Sequence, residues 1–152
     1  MDRVAVALGS NLGDRRAHLD HAVAALHNLL SNLSVSLYYD TVPAGIIGPQ
    51  PVYLNAAAVG DTPLPARALL DALLAIEGAR GRTRPHPNAP RTLDLDLILV
   101  GQTVLDEPGL ILPHPRFRER RFVLGPLVEL EPDLRDPATG RTMRELLARL
   151  SD

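Results

Sequence analysis

The 152-residue chain contains no cysteine, no tryptophan and no lysine. Without thiols there is no disulfide framework, no Cys nucleophile and no Zn–thiolate site, so any metal must be held by oxygen or imidazole. No apolar run approaches the roughly 20 residues of a membrane span, and the N-terminus MDRVAVALGSN lacks the layout of a signal peptide. A soluble cytoplasmic protein with no membrane partner is the expectation. A strong positive excess is missing too: the net charge is −2, which argues against a protein that coats nucleic acid. All 16 basic residues are Arg, a bias that codon usage explains without any functional meaning. What is present is a 45% hydrophobic content, enough for one core in a single domain over residues 1–152, with no linker expected.

The most informative stretch is PRTLDLDLILVG, Pro90 to Gly101. It reads as a strand whose apolar run is interrupted by Asp94 and Asp96. Side chains alternate along a strand, so Leu93, Leu95, Leu97 and Leu99 are expected on one side, with Asp94, Asp96, Ile98 and Val100 on the other. The two carboxylates then point the same way, roughly 6.5–7 Å apart. That spacing suits hard cations such as Mg²⁺, which take one or two protein carboxylates and fill their shell with water and substrate phosphates. The same pattern also describes an edge strand guarded by charge, and the strand alone leaves both open. The preceding loop tips the balance, because Arg80, Arg82, Arg84 and Arg91 crowd it and guanidinium groups pair with phosphate oxygens in a bidentate way.

Elsewhere, Arg3 to Leu8 alternates as a strand, with Val4 and Val6 on one face and Ala5 and Ala7 on the other. It ends in a turn-forming run, Gly9 to Asp14, and a helix follows with the stripe Leu19, Ala22, Val23, Leu26, Leu29 and Leu30. The glycine loop between them could cradle a phosphate or be a tight connection, since it lacks both P-loop and Rossmann spacing. Ser34 to Tyr39 predicts one strand, Thr41 to Pro51 a loop, and Val52 to Val59 another strand. In that strand Tyr53 and Asn55 share a face. An aromatic beside an amide suits a flat heterocycle, although a half-buried Tyr next to an edge Asn serves structure equally well. A helix opened by Pro63 or Pro65 carries Leu69, Ala72, Leu73 and Ile76, with Glu77 near its end. Thr103 to Leu112 reads as a short extended excursion. The arginine run His114 to Phe122 has the composition of a solvated face, and a short helix or turn follows it. The last helix starts at a capping box, Thr142 with Glu145.

These pieces together resemble the 6-hydroxymethyl-7,8-dihydropterin pyrophosphokinases of folate biosynthesis. PRTLDLDL is the most specific match; GSNLG, TVPAG, YLNA, IE…GR…R and LPHPRFRERRFVL support it in order over nearly the full length. The resemblance implies an α+β, ferredoxin-like fold, mainly an antiparallel sheet with helices packed on it and a C-terminal helical extension. It implies a monomeric enzyme that takes ATP and hydroxymethyl dihydropterin, moves pyrophosphate to the hydroxymethyl group and releases AMP. By the same resemblance, Asp94 and Asp96 hold two Mg²⁺ ions, and Arg82 and Arg91 close over the phosphates as catalytic residues. Glu77, Arg84, Arg91, His114 and Arg120 serve ATP, while Thr41, Pro43, Tyr53, Asn55 and Phe122 form the pterin pocket. The chain departs from the family pattern in four places, the first being an arginine loop one residue shorter and richer in proline than in the familiar bacterial form. It has no Trp for the arginine loop, offering His86 or Asn88 instead; Leu74 replaces a common Gln; and Pro115 stands where an aromatic often follows the His. Two other readings are a nucleotide-binding domain without turnover and a metal-dependent phosphohydrolase. The latter would call for further His or Asp ligands.

Overall fold

The computed structural model describes residues 1–41, 52–80 and 92–150. The chain begins with β1 (Asp2–Ser10), which is three residues longer than the alternation alone predicts, one at its start and two at its end. Gly9 and Ser10 belong to the strand rather than to a turn, because β4 (Tyr53–Thr62) and β5 (Asp94–Val100) pair with this end of it. Both pairings are antiparallel and place β1 between them. Helix α1 (Arg15–Leu29) follows, started by Asp14, whose carboxylate accepts the Ala17 N–H at 3.1 Å. A side-chain oxygen at this position satisfies one of the otherwise orphaned first-turn donors.

The single strand expected at Ser34–Tyr39 is two short ones, β2 (Ser31–Val35) and β3 (Tyr39–Thr41), both lying along the outer edge of β4. Val35 pairs with Ala58 and Tyr39 with Asn55. Four steps on one chain therefore match three on the other, and the ladder must break. Ser36 fills the gap: its N–H donates to the Ala57 carbonyl, and its hydroxyl accepts the Ala57 N–H, each at 2.9 Å. Helix α2 (Ala66–Gly78) buries Leu69, Leu73 and Glu77. Beyond β5, the excursion is a small hairpin, β6 (Leu105–Glu107) with β7 (Leu110–Leu112). A 3-10 turn at Phe117–Glu119 leads into α3 (Arg121–Leu130), and α4 (Met143–Ala148) begins at the capping box that Thr142 and Glu145 predict.

The sheet is covered on both faces, which is the α+β arrangement expected. Val4, Val6 and Leu8 pack with Leu19, Leu26, Leu69 and Leu73, on the α1 and α2 side. Ala5 and Ala7 face Phe117, Val123, Leu124, Leu127 and Leu146, on the α3 and α4 side. The small Ala57 on β4 lets α3 approach the sheet closely.

One prediction about β5 fails in an informative way. Leu93, Leu95 and Leu97 join the α1/α2 core as the alternation requires, yet Leu99 lies with the α3/α4 core and Val100 returns to the other. The register explains it: Val6 pairs with Leu97 and Ala5 with Leu99, leaving Ile98 as an extra residue opposite no partner. Such a bulge reverses the facing of everything beyond it. Asp94, Asp96 and Ile98 keep the common face that the alternation gives them.

Candidate active site

The arginine run after β7 is only partly a solvated face. Phe117 is fully buried, and Arg118 forms a bidentate pair with the fully buried Asp136, at 2.5 Å and 3.0 Å. Burial would raise the Asp136 carboxyl, but Arg118, the Ala138 N–H and the Thr139 hydroxyl together hold it below its ordinary value. This anchor fixes the segment that carries His114 and Arg120 beside the sheet.

Along the β5 edge opens a cavity of about 370 Å³. Asp94, Asp96, Glu77 and His114 line it, together with the apolar Leu70, Leu74, Leu110 and Ile111. Mixed polar and apolar walls of this size suit a small organic ligand with a charged end. Both aspartates are half-buried. Between them in sequence, the Leu95 N–H donates to Glu77 Oε2 at 2.6 Å. Glu77 is only 2% exposed, so it braces the acidic strand from α2 as well as walling the cavity. Leu74 stands on the rim of the same cavity with Pro115.

His114 is joined to the bulge, its N–H donating to the Ile98 carbonyl at 2.8 Å. Burial, followed by the charge of Arg120, pushes its imidazole below the usual value, against a smaller opposing pull from Asp94. Nδ1 accepts the Arg116 N–H at 3.1 Å, so the proton of the neutral ring lies on Nε2. Arg120 approaches Asp96 at 3.8 Å and its guanidinium lies 5.7 Å from the centre of the Phe122 ring. Both partners of the ion pair are about a third exposed, so it is loose and contributes little.

The second group lies on the far side of β1. Asn55 pairs with Gly9 and Gly9 with Asp94. The three residues form one row across three strands, with the outer two about 9.5 Å apart, twice the strand spacing. The side-chain amide of Asn55 donates to the Thr41 hydroxyl. A Cβ built on Gly9 would lie 2.9 Å from Asn55 Oδ1 and 3.7 Å from Tyr53. Gly9 is therefore a clearance in the sheet that lets the amide and the ring lean inwards, a role the sequence hid among turn-forming residues. Tyr53 is half-buried, and Phe122 packs at the margin of the α3/α4 core.

The structure thus brings Asp94, Asp96, Glu77, His114 and Arg120 to one edge and Thr41, Tyr53 and Asn55 to the neighbouring end of the sheet. Pro43, Arg82, Arg84, Arg91, His86 and Asn88 lie outside the described residues. No cluster of three or more His, Cys, Asp or Glu side chains placed for a metal occurs among the described residues. The donor set is therefore two carboxylates beside open space, which fits a cation that completes its shell with water and phosphate.

A family model described as 7,8-dihydro-6-hydroxymethylpterin-pyrophosphokinase (HPPK) matches residues 5–132. The chain belongs to this family. Among curated relatives, the 2-amino-4-hydroxy-6-hydroxymethyldihydropteridine pyrophosphokinase of Pseudomonas aeruginosa is 46% identical over 150 residues, covering 97% of this chain and 91% of that one. The enzyme of the same name from Bacillus subtilis is 42% identical over 136 residues, covering 88% and 81%. A Pneumocystis carinii protein, "Folic acid synthesis protein fol1", is 34% identical over 99% of this chain but only 20% of its own length. The crystal structure of Plasmodium falciparum HPPK-DHPS, wild type with pteroate, superposes with a TM-score of 0.77 over 97% of this chain. At 14% identity that likeness concerns the fold, and this chain spans 42% of the Plasmodium one.

Proposed function

We propose that this chain is a single-domain, monomeric, cytoplasmic pyrophosphokinase that transfers the terminal pyrophosphate of ATP to the hydroxymethyl group of 6-hydroxymethyl-7,8-dihydropterin and releases AMP. Membership of the family and the names of its relatives support pyrophosphokinase activity in folate biosynthesis. Among the described residues no helix is long and apolar enough to cross a membrane.

The observation that carries the reading is the row Asn55–Gly9–Asp94. One strand separates an amide suited to a heterocycle edge from carboxylates suited to a metal-bound phosphate chain, and all three residues sit in register. In this reading Asn55 reads the pterin edge, its donor side fixed by Thr41, while Tyr53 and Phe122 enclose the ring. Asp94 and Asp96 offer carboxylate oxygens for two Mg²⁺ ions. Cations held there would supply the positive charge that neutralises a triphosphate during in-line displacement at the β-phosphorus. Glu77 holds the acidic strand in place through the Leu95 N–H, and neutral His114 offers Nε2–H to the nucleotide. Arg120 exchanges its loose contact with Asp96 for phosphate oxygens. Arg84 joins it on the nucleotide, and Arg82 and Arg91 stabilise charge on the transferred group.

The test is AMP formation. It should require Mg²⁺, ATP and hydroxymethyl dihydropterin together, and Asp94→Asn or Asp96→Asn should lower the rate by roughly 10²–10³-fold, the scale of one lost charge-stabilising contact. Phosphate or ADP release without the pterin would instead indicate a phosphohydrolase, and near-normal rates in both variants would remove the metal assignment.

A further inference from the structure

The orientation of Asn55 depends on Thr41, the end residue of a three-residue edge strand. So short a strand is held by few ladder bonds and needs bracing from outside. The bracing comes from α3. One carboxylate oxygen of Glu129 accepts the Leu37 N–H at 2.9 Å, and the other accepts the Tyr39 hydroxyl. Tyr39 is paired directly with Asn55, so the two side chains are neighbours on one face of the sheet. The Glu129 hydrogen bond also pushes the Tyr39 phenol above its ordinary value, so it stays a donor throughout the neutral range.

Helix α3 carries Phe122 as well. Residues seven apart share a helix face, so Phe122 and Glu129 form one stripe about 10 Å long. The first packs at the margin of the α3/α4 core, with the Arg120 guanidinium 5.7 Å from its ring centre, and the second grips the strand that ends in Thr41. Tyr38 and Asp40 alternate to the other side, where Tyr38 donates to Asp20 at 2.7 Å and Arg15 donates to Asp40 at 3.1 Å. Only the Glu129 contact ties β3 to the helix that bears Phe122, among the bonds described.

We propose that Glu129 is a positioning residue for the pterin-reading amide of Asn55, acting through Tyr39 and β3, and that it sets the separation between Asn55 and Phe122. The inference rests on the assignment of Asn55 and Phe122 to the pterin site.

Steady-state kinetics of Tyr39→Phe, Glu129→Gln and Glu129→Ala test it. The expected result is a pterin KM raised roughly five- to tenfold in Tyr39→Phe and Glu129→Ala, the scale of one positioning hydrogen bond. Glu129→Gln, which keeps one carbonyl acceptor, should fall between them and the parent, and the ATP KM should stay within about twofold. Tyr39→Phe removes only a hydroxyl from a side chain 38% exposed, so the test survives if Glu129→Ala does not fold. Unchanged pterin KM in Tyr39→Phe, or parallel rises for both substrates, would overturn the proposal. Asn55→Ala separates the two levels. If it raises the pterin KM while the Tyr39 and Glu129 variants are silent, the positioning role alone is wrong; if it is silent too, the pterin assignment falls and takes this proposal with it.

Discussion

Gly9→Ala is the sharpest perturbation the site offers, because it adds one methyl group at the midpoint between the two proposed substrate positions. The new Cβ would meet Asn55 Oδ1 at 2.9 Å, whereas an ordinary contact begins at 3.4 Å. The amide must therefore retreat by about 0.5 Å, the difference between those two distances. It cannot retreat freely, since its NH₂ is held by Thr41 and its backbone is paired on both sides, to Gly9 and to Tyr39. Forcing an extra methyl into a packed site costs about 1–3 kcal/mol. Borne by the reading geometry, the lower part of that range corresponds to roughly a five- to thirtyfold loss in pterin affinity. The other contacts of the new methyl are Tyr53 at 3.7 Å and the Leu54 carbonyl at 3.9 Å, so the carboxylates lie farther away. Binding of an ATP analogue with Mg²⁺ should accordingly change by less than about twofold. Stability should move little, because replacing a strand glycine gains about 0.5–1 kcal/mol of backbone entropy against the strain. Titration calorimetry of each ligand separately, with a melting curve, measures all three quantities. A pterin affinity within twofold of the parent, or equal losses for both ligands, would refute the reasoning.

Replacing Glu77 by Leu should strand the Leu95 N–H between the two aspartates and destabilise the protein by about 1–3 kcal/mol, with a raised KM for Mg-ATP; an unchanged denaturation midpoint would show that the amide finds another acceptor. Arg118→Ala leaves the Asp136 carboxylate buried without its ion partner, and a loss of about 3–5 kcal/mol is expected in chemical denaturation, while Arg118→Ala with Asp136→Asn should recover part of it. Acidification should also weaken the fold through His18. Its Nδ1 accepts the Arg80 Nε–H at 3.0 Å, and burial and then Arg80 and His21 depress its proton affinity, with Asp14 opposing. The unfolded imidazole then takes up protons first, so this contribution is intact above about pH 6.5 and is lost as the pH falls through the depressed folded value. Melting temperatures between about pH 7.5 and 5.5 should fall less steeply in His18→Gln; an equal slope would exclude this group as the cause.

Much of the site was legible because its signals are local. Asp94 and Asp96 advertise themselves inside an apolar run, Tyr53 and Asn55 share a face by simple alternation, and Val4 to Ala7 divide between two cores as written. What escaped depends on partners remote in the chain. Nothing in LDLDLILV marks Ile98 as the residue without a mate, since the slip exists only against β1. Glu129 looks like an ordinary helix carboxylate until its partners, 90 and 92 positions away, are brought to it. Arg118 reads as part of a solvated run because only folding delivers Asp136. Gly9 was visible as a glycine but not as a clearance, because its neighbours come from another strand.

The unpaired residue in β5 has a consequence of its own. Excising Ile98 would leave Leu99 opposite Ala5 and Val100 opposite Val4, as now, and the ladder would simply become regular. What would disappear is the outward carbonyl on which the His114 backbone hangs. The insertion is thus superfluous to the ladder and indispensable to the cavity wall; because Ile98 is also fully buried in the α3/α4 core, a shortened variant should be destabilised by about 2–5 kcal/mol and lose its hold on the nucleotide as well.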